Sequence, residues 1–187
     1  MASVYIVHGY TASSTQNWFP WLREKLGERG VRTVVLDMPD SSAPRKDKWD
    51  SWLDQHIEEY DEETVFAGHS LGCVSLLRFL NRQDEARKVR GIVLVSGFTE
   101  PVPTLPMLNP FLEDPINSTK IIRMAKCRTA FTAPNDRIVP SVYTERMAKI
   151  LAAELRSIEN GGHFLDREGF TMFPQVYDEI CRMIFEV

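Results

Sequence analysis

Residues 66–73, FAGHSLGC, connect a predicted strand to a predicted helix. Within this stretch, Gly68, Ser70 and Gly72 match the pattern G-x-S-x-G, with a β-type run before them and a predicted helix after them. Glycine at both outer positions avoids collisions with neighbouring backbone, so the serine can occupy a strained turn between strand and helix. That turn lifts the hydroxyl to the positive end of the helix, where a developing anion is stabilised. We predict that Ser70 is a nucleophile; the alternative is a small residue at a tight turn.

Short runs rich in valine and isoleucine alternate with longer amphipathic stretches along the whole chain. Several runs are continuously apolar, as expected of strands that are buried on both faces. The alternation predicts βα units and a parallel sheet. The predicted strands are residues 3–8, 31–37, 64–68, 89–96, 127–133 and 154–159.

Apolar residues at helical spacing predict a helix in most of the intervening stretches. These helices cover residues 18–26, 49–60, 71–80, 141–153 and 173–185. The connection 97–125 differs, because it carries five prolines and is too long for an ordinary loop. Its apolar residues argue against disorder. We predict a proline-rich insertion that lies over the expected active site.

Length and composition indicate one soluble, folded domain. The chain has 187 residues, of which 43% are hydrophobic and 26% charged. The net charge of −4 lacks the basic excess that nucleic acid or an anionic membrane requires, so we expect neither as a partner. The start, MASVYIVHGY, has no basic region and only a short apolar run, which favours a cytoplasmic location.

The cysteines point to no special chemistry. Cys73, Cys127 and Cys181 are odd in number, far apart and without metal-ligand spacing. We therefore expect three buried thiols, and neither a disulfide framework nor a metal site. No organic cofactor is indicated either.

A serine nucleophile needs a histidine base, and the chain has four histidines. His8 ends the first predicted strand, His69 lies inside the turn, and His56 lies in a helix among acidic residues. His163 lies in ENGGHFLDREG, residues 159–169, where a glycine-rich loop follows the last predicted strand. Because the chain order in this type of fold is Ser, acid, His, we predict His163 as the base. The alternative is an exposed loop histidine.

The acid that orients the histidine should lie between Ser70 and His163, after a strand. FTAPNDRIVP, residues 131–140, follows the fifth predicted strand and places Asp136 in a turn. Asn-Asp after a proline is also ordinary turn chemistry. Asp166 is a rival, but it follows His163 and so breaks the order. We predict Asp136 as the orienting carboxylate.

An oxyanion hole needs two backbone donors. The first candidate is the amide of Leu71, the residue after the nucleophile. The second should come from the loop after the first strand, VHGYTASS at 7–14, where Gly9 makes the sharp exit. Tyr10 and Thr11 are both candidates for this donor, and the sequence does not choose between them.

Aromatic residues near the carboxyl ends of the predicted strands are candidates for a substrate pocket. Phe98 follows the fourth strand, Tyr10 follows the first, and Phe164 flanks the predicted base. These three rings could form an apolar wall at the sheet edge where α/β proteins bind ligands, and Gly9 is a further substrate-binding candidate. Core packing is an equally good explanation of each ring. A small acyl substrate is the expected partner, and no motif indicates a protein partner.

With these residues assembled, the chain resembles the α/β-hydrolase superfamily over nearly its whole length. More narrowly, it is similar to the small serine hydrolases related to retinoblastoma-binding protein 9 and to the YdeN-type bacterial proteins. The motifs that carry this likeness are VHGYTAS (7–13), NWFPWL (17–22), GHSLGC (68–73), PNDRIVP (134–140) and NGGHF (160–164).

The resemblance implies a trimmed α/β-hydrolase fold in one domain, residues 1–187. This fold has three layers, α/β/α, around a mainly parallel six-stranded sheet, without a full cap domain. The resemblance also implies weak esterase activity on short acyl esters, with Ser70, Asp136 and His163 in the roles given above.

Two classes of function remain after these observations. The first is a serine hydrolase that cleaves a small carboxylic ester, thioester or amide through an acyl-enzyme. The second is a catalytically weak or inactive protein of the same fold that acts as a protein-binding module. A nucleotide-binding domain is disfavoured, because neither G-x-G-x-x-G nor a P-loop follows the first predicted strand.

Overall fold

The structure, a computed structural model, describes residues 1–186. Within these residues the chain forms six strands and six α-helices that alternate along most of its length. The strands are β1 (Ser3–Val7), β2 (Arg32–Leu36), β3 (Thr64–His69), β4 (Val89–Val95), β5 (Ala125–Thr132) and β6 (Glu154–Ser157). The helices are α1 (Phe19–Glu28), α2 (Lys46–His56), α3 (Leu71–Arg82), α4 (Ser118–Met124), α5 (Ser141–Ile150) and α6 (Pro174–Phe185).

The strands form one parallel sheet in the order β2-β1-β3-β4-β5-β6. The chain passes from β1 to β2 on one side and then to β3 on the other, so the order reverses between β1 and β3. Val7 of β1 lies beside Gly68 of β3, which brings the loops after these two strands together. Open α/β sheets bind ligands at such a reversal, outside the carboxyl ends of the strands. The topology therefore places the turn around Ser70 at the expected binding edge.

Helices cover both faces of the sheet, which confirms the predicted three-layer α/β/α fold. One face packs against α1 and α6, whose buried residues repeat at helical spacing, as in Val176, Ile180 and Met183. The other face packs against α2, α3 and α5. Helix α3 is buried from Leu71 to Leu80 on all sides, because it lies between the sheet and the neighbouring helices. None of the helices within residues 1–186 combines the length and apolarity that a membrane span needs.

The segment 97–125 is more ordered than the sequence indicates. It forms a 3-10 helix, Pro106–Leu112, and then α4, neither of which the sequence predicts. Asn117 caps α4 by accepting a hydrogen bond from the amide of Lys120 at 3.1 Å. Phe111 packs edge-on against Trp49 of α2, with ring centroids 5.7 Å apart. Most of this segment therefore belongs to the core on the α2 and α3 side.

Candidate active site

Ser70 occupies the sharp turn that its glycine pattern predicts. Its backbone has φ 55° and ψ −120°, between the last residue of β3 and the first residue of α3. A Cβ at Gly68 would lie 2.8 Å from the backbone nitrogen of Cys73, and a Cβ at Gly72 would overlap the carbonyl oxygen of Val7. Both positions therefore require glycine, and this close packing holds the strained serine in place.

Asp136 is buried, and four donors surround its carboxylate. Oδ1 accepts the amides of Ile138 and Val139, each at 2.9 Å. Oδ2 accepts the hydroxyl of Ser96 at 2.8 Å and Nδ1 of His163 at 2.8 Å. Hydrogen bonds of this kind stabilise the ionised carboxylate and fix its orientation. The structure thus brings the predicted acid and the predicted base into direct contact.

The loop that carries His163 is held by a second carboxylate. Oε2 of Glu168 accepts the amide of His163 at 2.8 Å and the amide of Leu165 at 3.1 Å. A Cβ at Gly162, which has φ 56°, would lie 2.5 Å from this carboxylate. Asn135 Oδ1 accepts the amide of Gly162 at 2.9 Å. The loop after β6 is therefore tied both to itself and to the loop of Asp136.

The side chains of Ser70 and His163 border the same cleft. Because Nδ1 of His163 donates to Asp136, Nε2 is the nitrogen that can accept a proton. Within residues 1–186 no hydrogen bond joins the Ser70 hydroxyl to this nitrogen. Such bonds are often long in free enzymes and shorten when substrate binds.

The loop after β1 lies directly against Ser70. A Cβ at Gly9 would lie 2.9 Å from Cβ of Ser70, so only glycine permits this approach. The amide of Thr11 donates to the carbonyl of Ser41 at 2.8 Å. The amide of Tyr10 has no acceptor in the described part of the chain. The amide of Leu71, first in α3, has none within its helix either.

Two buried histidines support these loops. Nε2 of His69 donates to the backbone carbonyl of His163 at 2.8 Å, and burial together with the neighbouring His163 lowers the pKa of His69 to about 3. His8 donates from Nδ1 to the carbonyl of Gly9 and accepts the amide of Met38 at Nε2, each at 2.9 Å. Burial also lowers the pKa of His8. Both rings are therefore neutral structural groups near neutral pH.

The cleft has a volume of about 350 Å³. Gly9 and Tyr10 line it, as predicted from the sequence. Phe98 and Phe164 do not: both rings are fully buried in the core, so their assignment to the cleft wall is wrong. Phe164 stacks on Phe173 at 4.8 Å between centroids, which turns its ring away from the cleft.

Several further residues that the sequence does not assign to a pocket also line the cleft. Thr104 and Leu105 come from the proline-rich segment, so part of that segment does border the cleft. Arg137 and Arg167 come from the loops of the predicted acid and base. Asp166, the rival acid, lines the cleft as well, but its Oδ1 accepts the amide of Arg167 in its own loop at 2.6 Å.

The fold and the site together define an α/β protein of the serine hydrolase class. A family model described as serine hydrolase matches residues 4–182, and the chain belongs to this family of hydrolases. It is 43% identical over 175 residues to YdeN of Bacillus subtilis (strain 168), covering 94% of this chain and 92% of YdeN. The crystal structure of the B. subtilis ydeN gene product matches with a TM-score of 0.95 at 41% identity and covers 98% of each chain.

A more distant relative is the serine hydrolase RBBP9 of Rattus norvegicus, which is 25% identical over 157 residues, or 83% of this chain and 82% of RBBP9. The resemblance seen in the sequence is thereby confirmed. Ferulic acid-bound Est1E from Butyrivibrio proteoclasticus shares the fold, with a TM-score of 0.74 at 16% identity over 100% of this chain and 89% of Est1E.

Proposed function

We propose that the chain is a serine hydrolase that cleaves a small carboxylic ester, in which Ser70 is the nucleophile, His163 the general base and Asp136 the orienting acid. The observation that carries this proposal is the 2.8 Å contact between Asp136 and Nδ1 of His163, on the cleft that the strained Ser70 borders. A carboxylate in this position holds the imidazole in one tautomer and stabilises the imidazolium that forms during the reaction.

The reaction begins when Nε2 of His163 takes the proton of the Ser70 hydroxyl and Oγ bonds to the ester carbonyl carbon. The carbonyl oxygen becomes an oxyanion, which the amides of Leu71 and Tyr10 stabilise. Thr11 is the weaker candidate for the second donor, because its amide already donates to Ser41.

Collapse of this tetrahedral intermediate breaks the bond to the alcohol, which leaves with the proton held by His163. The product of this half-reaction is an acyl ester on Ser70. Water then attacks the acyl group, His163 takes a proton from that water, and the acid is released as Ser70 recovers its proton. A thioester or an amide would follow the same steps with a thiol or an amine as leaving group.

The size of the cleft supports a short acyl group. Its volume of about 350 Å³ is at the lower end of small-molecule sites, which span roughly 300–1,000 Å³. The lining is mixed in polarity, with Leu105, Ile138 and Leu165 as its larger aliphatic members. We expect acetyl and butyryl esters to react faster than octanoyl esters.

The test is hydrolysis of 4-nitrophenyl acetate, butyrate and octanoate by the wild type and by Ser70→Ala, with intact-protein mass spectrometry of quenched samples. The proposal predicts turnover of the short esters and an acyl adduct that Ser70→Ala lacks. Equal turnover by both folded proteins would overturn it. In that case a protein-binding module would be the function to pursue.

A further inference from the structure

Two arginines border the cleft that Ser70 and His163 share. Arg137 directly follows Asp136, and Arg167 lies four residues after His163. Both side chains are exposed and line the cleft. One cation thus lies on the loop of the acid and one on the loop of the base.

Neither guanidinium contacts a partner within the described residues, in contrast to other arginines of the chain. Arg78, Arg146 and Arg182 each pair with a carboxylate. Within residues 1–186, by contrast, the guanidinium groups of Arg137 and Arg167 have no hydrogen-bond or ion-pair partner. An arginine without a partner is ordinary on an open surface. Two of them on one cleft beside a nucleophile are available to a ligand.

The backbone on either side of each arginine is fixed by hydrogen bonds. Arg137 lies between Asp136 and Ile138, whose amide donates to that aspartate at 2.9 Å. Arg167 lies beside Glu168, whose carboxylate holds the His163 loop. Because the loops are held in advance, ordering the arginines on a ligand costs little beyond the freedom of the side chains themselves.

The charge of this cleft is opposite in sign to that of the chain. Two arginines against Asp166 give a formal charge of +1 among its lining side chains with His163 neutral, whereas the whole chain carries −4. Asp166 accepts an amide of its own loop, so its charge is partly satisfied already. Because the chain as a whole is negative and salt screens distant charges, the two arginines attract an anionic group only when it is inside the cleft.

From this placement we infer that the substrate is an ester bearing a free carboxylate, which Arg137 and Arg167 bind while Ser70 attacks the ester carbonyl. This inference rests on the proposed function and narrows its substrate class. A guanidinium presents paired N–H donors that match the two oxygens of a carboxylate. A carboxylate is also small enough to share a 350 Å³ cleft with a short acyl group.

The first experiment compares matched charged and neutral esters. For a carboxylate on the acyl side, the pair is the 4-nitrophenyl monoester of glutarate and 4-nitrophenyl valerate. For a carboxylate on the leaving group, the pair is 4-acetoxybenzoate and 4-acetoxybenzamide. The measured quantity is the ratio of kcat/KM, charged over neutral, in the wild type, Arg137→Gln, Arg167→Gln and the double variant. Arg23→Gln, an exposed arginine on α1 away from the cleft, is the control.

We expect the ratio to fall about tenfold for at least one pair when either arginine is replaced, because a charge-assisted hydrogen bond is lost. The pair that responds identifies which part of the ester carries the carboxylate. Ratios that agree within about twofold among wild type, Arg23→Gln and the double variant, for both pairs, would overturn the inference.

A binding measurement separates this inference from the proposed function. Isothermal titration of Ser70→Ala with 4-hydroxybenzoate and 4-hydroxybenzamide requires no turnover. Tighter binding of the carboxylate, abolished by replacing both arginines, supports the inference even if no ester is cleaved. If esters are cleaved and Ser70 is acylated, but the carboxylate binds no better than the amide and the double variant changes neither charged-over-neutral ratio, the inference fails and the proposed function stands.

Discussion

The edge that carries Ser70, Asp136 and His163 differs from the proline-rich segment 97–125 in how it is held. At the edge, carboxylates accept backbone amides and hold the loops in shape, as Asp136 and Glu168 both do. The segment is held by buried apolar side chains such as Leu108 and Phe111, and by ion pairs. Under the proposed function, the polar contacts at the edge therefore position the reacting groups, whereas most contacts of the segment stabilise the fold.

Arg78 of α3 joins the proline-rich segment to the neighbouring helices. Its buried guanidinium contacts Asp50 of α2 at 2.6 Å, and Asp114 and the carbonyl of Phe111 in the segment at 3.0 and 3.4 Å. Lys46 also contacts Asp114, at 3.2 Å. One buried cation therefore joins α2, α3 and the proline-rich segment.

The largest expected effect is that of Asp136→Asn. The change leaves the shape of the edge nearly intact but removes the negative charge that holds His163 in the correct tautomer. We expect kcat to fall about 10⁴-fold on 4-nitrophenyl acetate. Circular dichroism and thermal unfolding should remain close to those of the wild type. A loss of less than tenfold would show that Asp136 does not orient the base.

The second-largest effect is expected for Arg78→Met, which removes the ion pairs of Arg78 with Asp50 and Asp114. Asp50 keeps Arg82 at 2.8 Å, so we expect a loss of about 3 kcal/mol in the free energy of unfolding, the low end for a broken buried pair. Urea unfolding measures this loss, and kcat/KM of the folded protein should stay within about twofold.

The matched control for Arg78→Met is Arg123→Met, which removes an exposed pair with Glu85 on the same side and should cost under about 1 kcal/mol. If Arg78→Met instead abolished turnover in fully folded protein, the separation of chemistry from stability would be wrong.

A third prediction concerns pH, because His69 is buried as a neutral ring with a pKa of about 3. Its pKa in the unfolded chain is about 6.5, so below that pH the unfolded state binds a proton that the native state does not. Stability contributed by this group therefore falls as the pH drops from 6.5 towards 3, by about 2 kcal/mol at pH 5.

In His69→Gln we expect the difference in unfolding free energy between pH 7 and pH 5 to shrink by that amount. The control is His56→Gln, an exposed histidine on α2, which should leave the difference unchanged. Urea unfolding at the two pH values makes the measurement. If the unfolding free energy changed equally between pH 7 and pH 5 in wild type and His69→Gln, His69 would not be the buried neutral group responsible.

The smallest effect is expected for Ser96→Ala, which removes one of the four donors to Asp136. Loss of this bond should lower kcat about tenfold and leave KM nearly unchanged, since Ser96 orients Asp136 and does not line the cleft. Ser75→Ala, a buried serine that donates to the carbonyl of Leu71 at 3.1 Å, is the matched control. A change in KM alone would count against this positioning role.

The sheet and the turn at Ser70 could be predicted from the sequence because their signals are local. Continuous apolar runs mark strands buried on both faces, and the spacing of Gly68 and Gly72 around Ser70 encodes a steric requirement of the turn itself. The roles of Ser70, Asp136 and His163 could be predicted because each follows a predicted strand and their order along the chain is Ser, acid, His.

What the sequence could not predict depends on contacts between distant residues. Ser96 and Asp136 are 40 positions apart and meet only because β4 and β5 end side by side. Phe164 follows the predicted base, yet its ring turns towards Phe173 and leaves the cleft. In the proline-rich segment, Pro110 lies inside a 3-10 helix, and the cap that begins α4 forms at Asn117.

Whether Ser70 is an activated nucleophile is measured by labelling the wild type with a fluorophosphonate, followed by peptide mapping. Ser70→Ala and His163→Ala are treated in parallel. If Ser70 is a nucleophile activated by His163, the wild type gains one phosphonyl group on Ser70, His163→Ala labels far more slowly, and Ser70→Ala gains none. A folded wild type that takes no label, or takes it on another residue, would contradict the account.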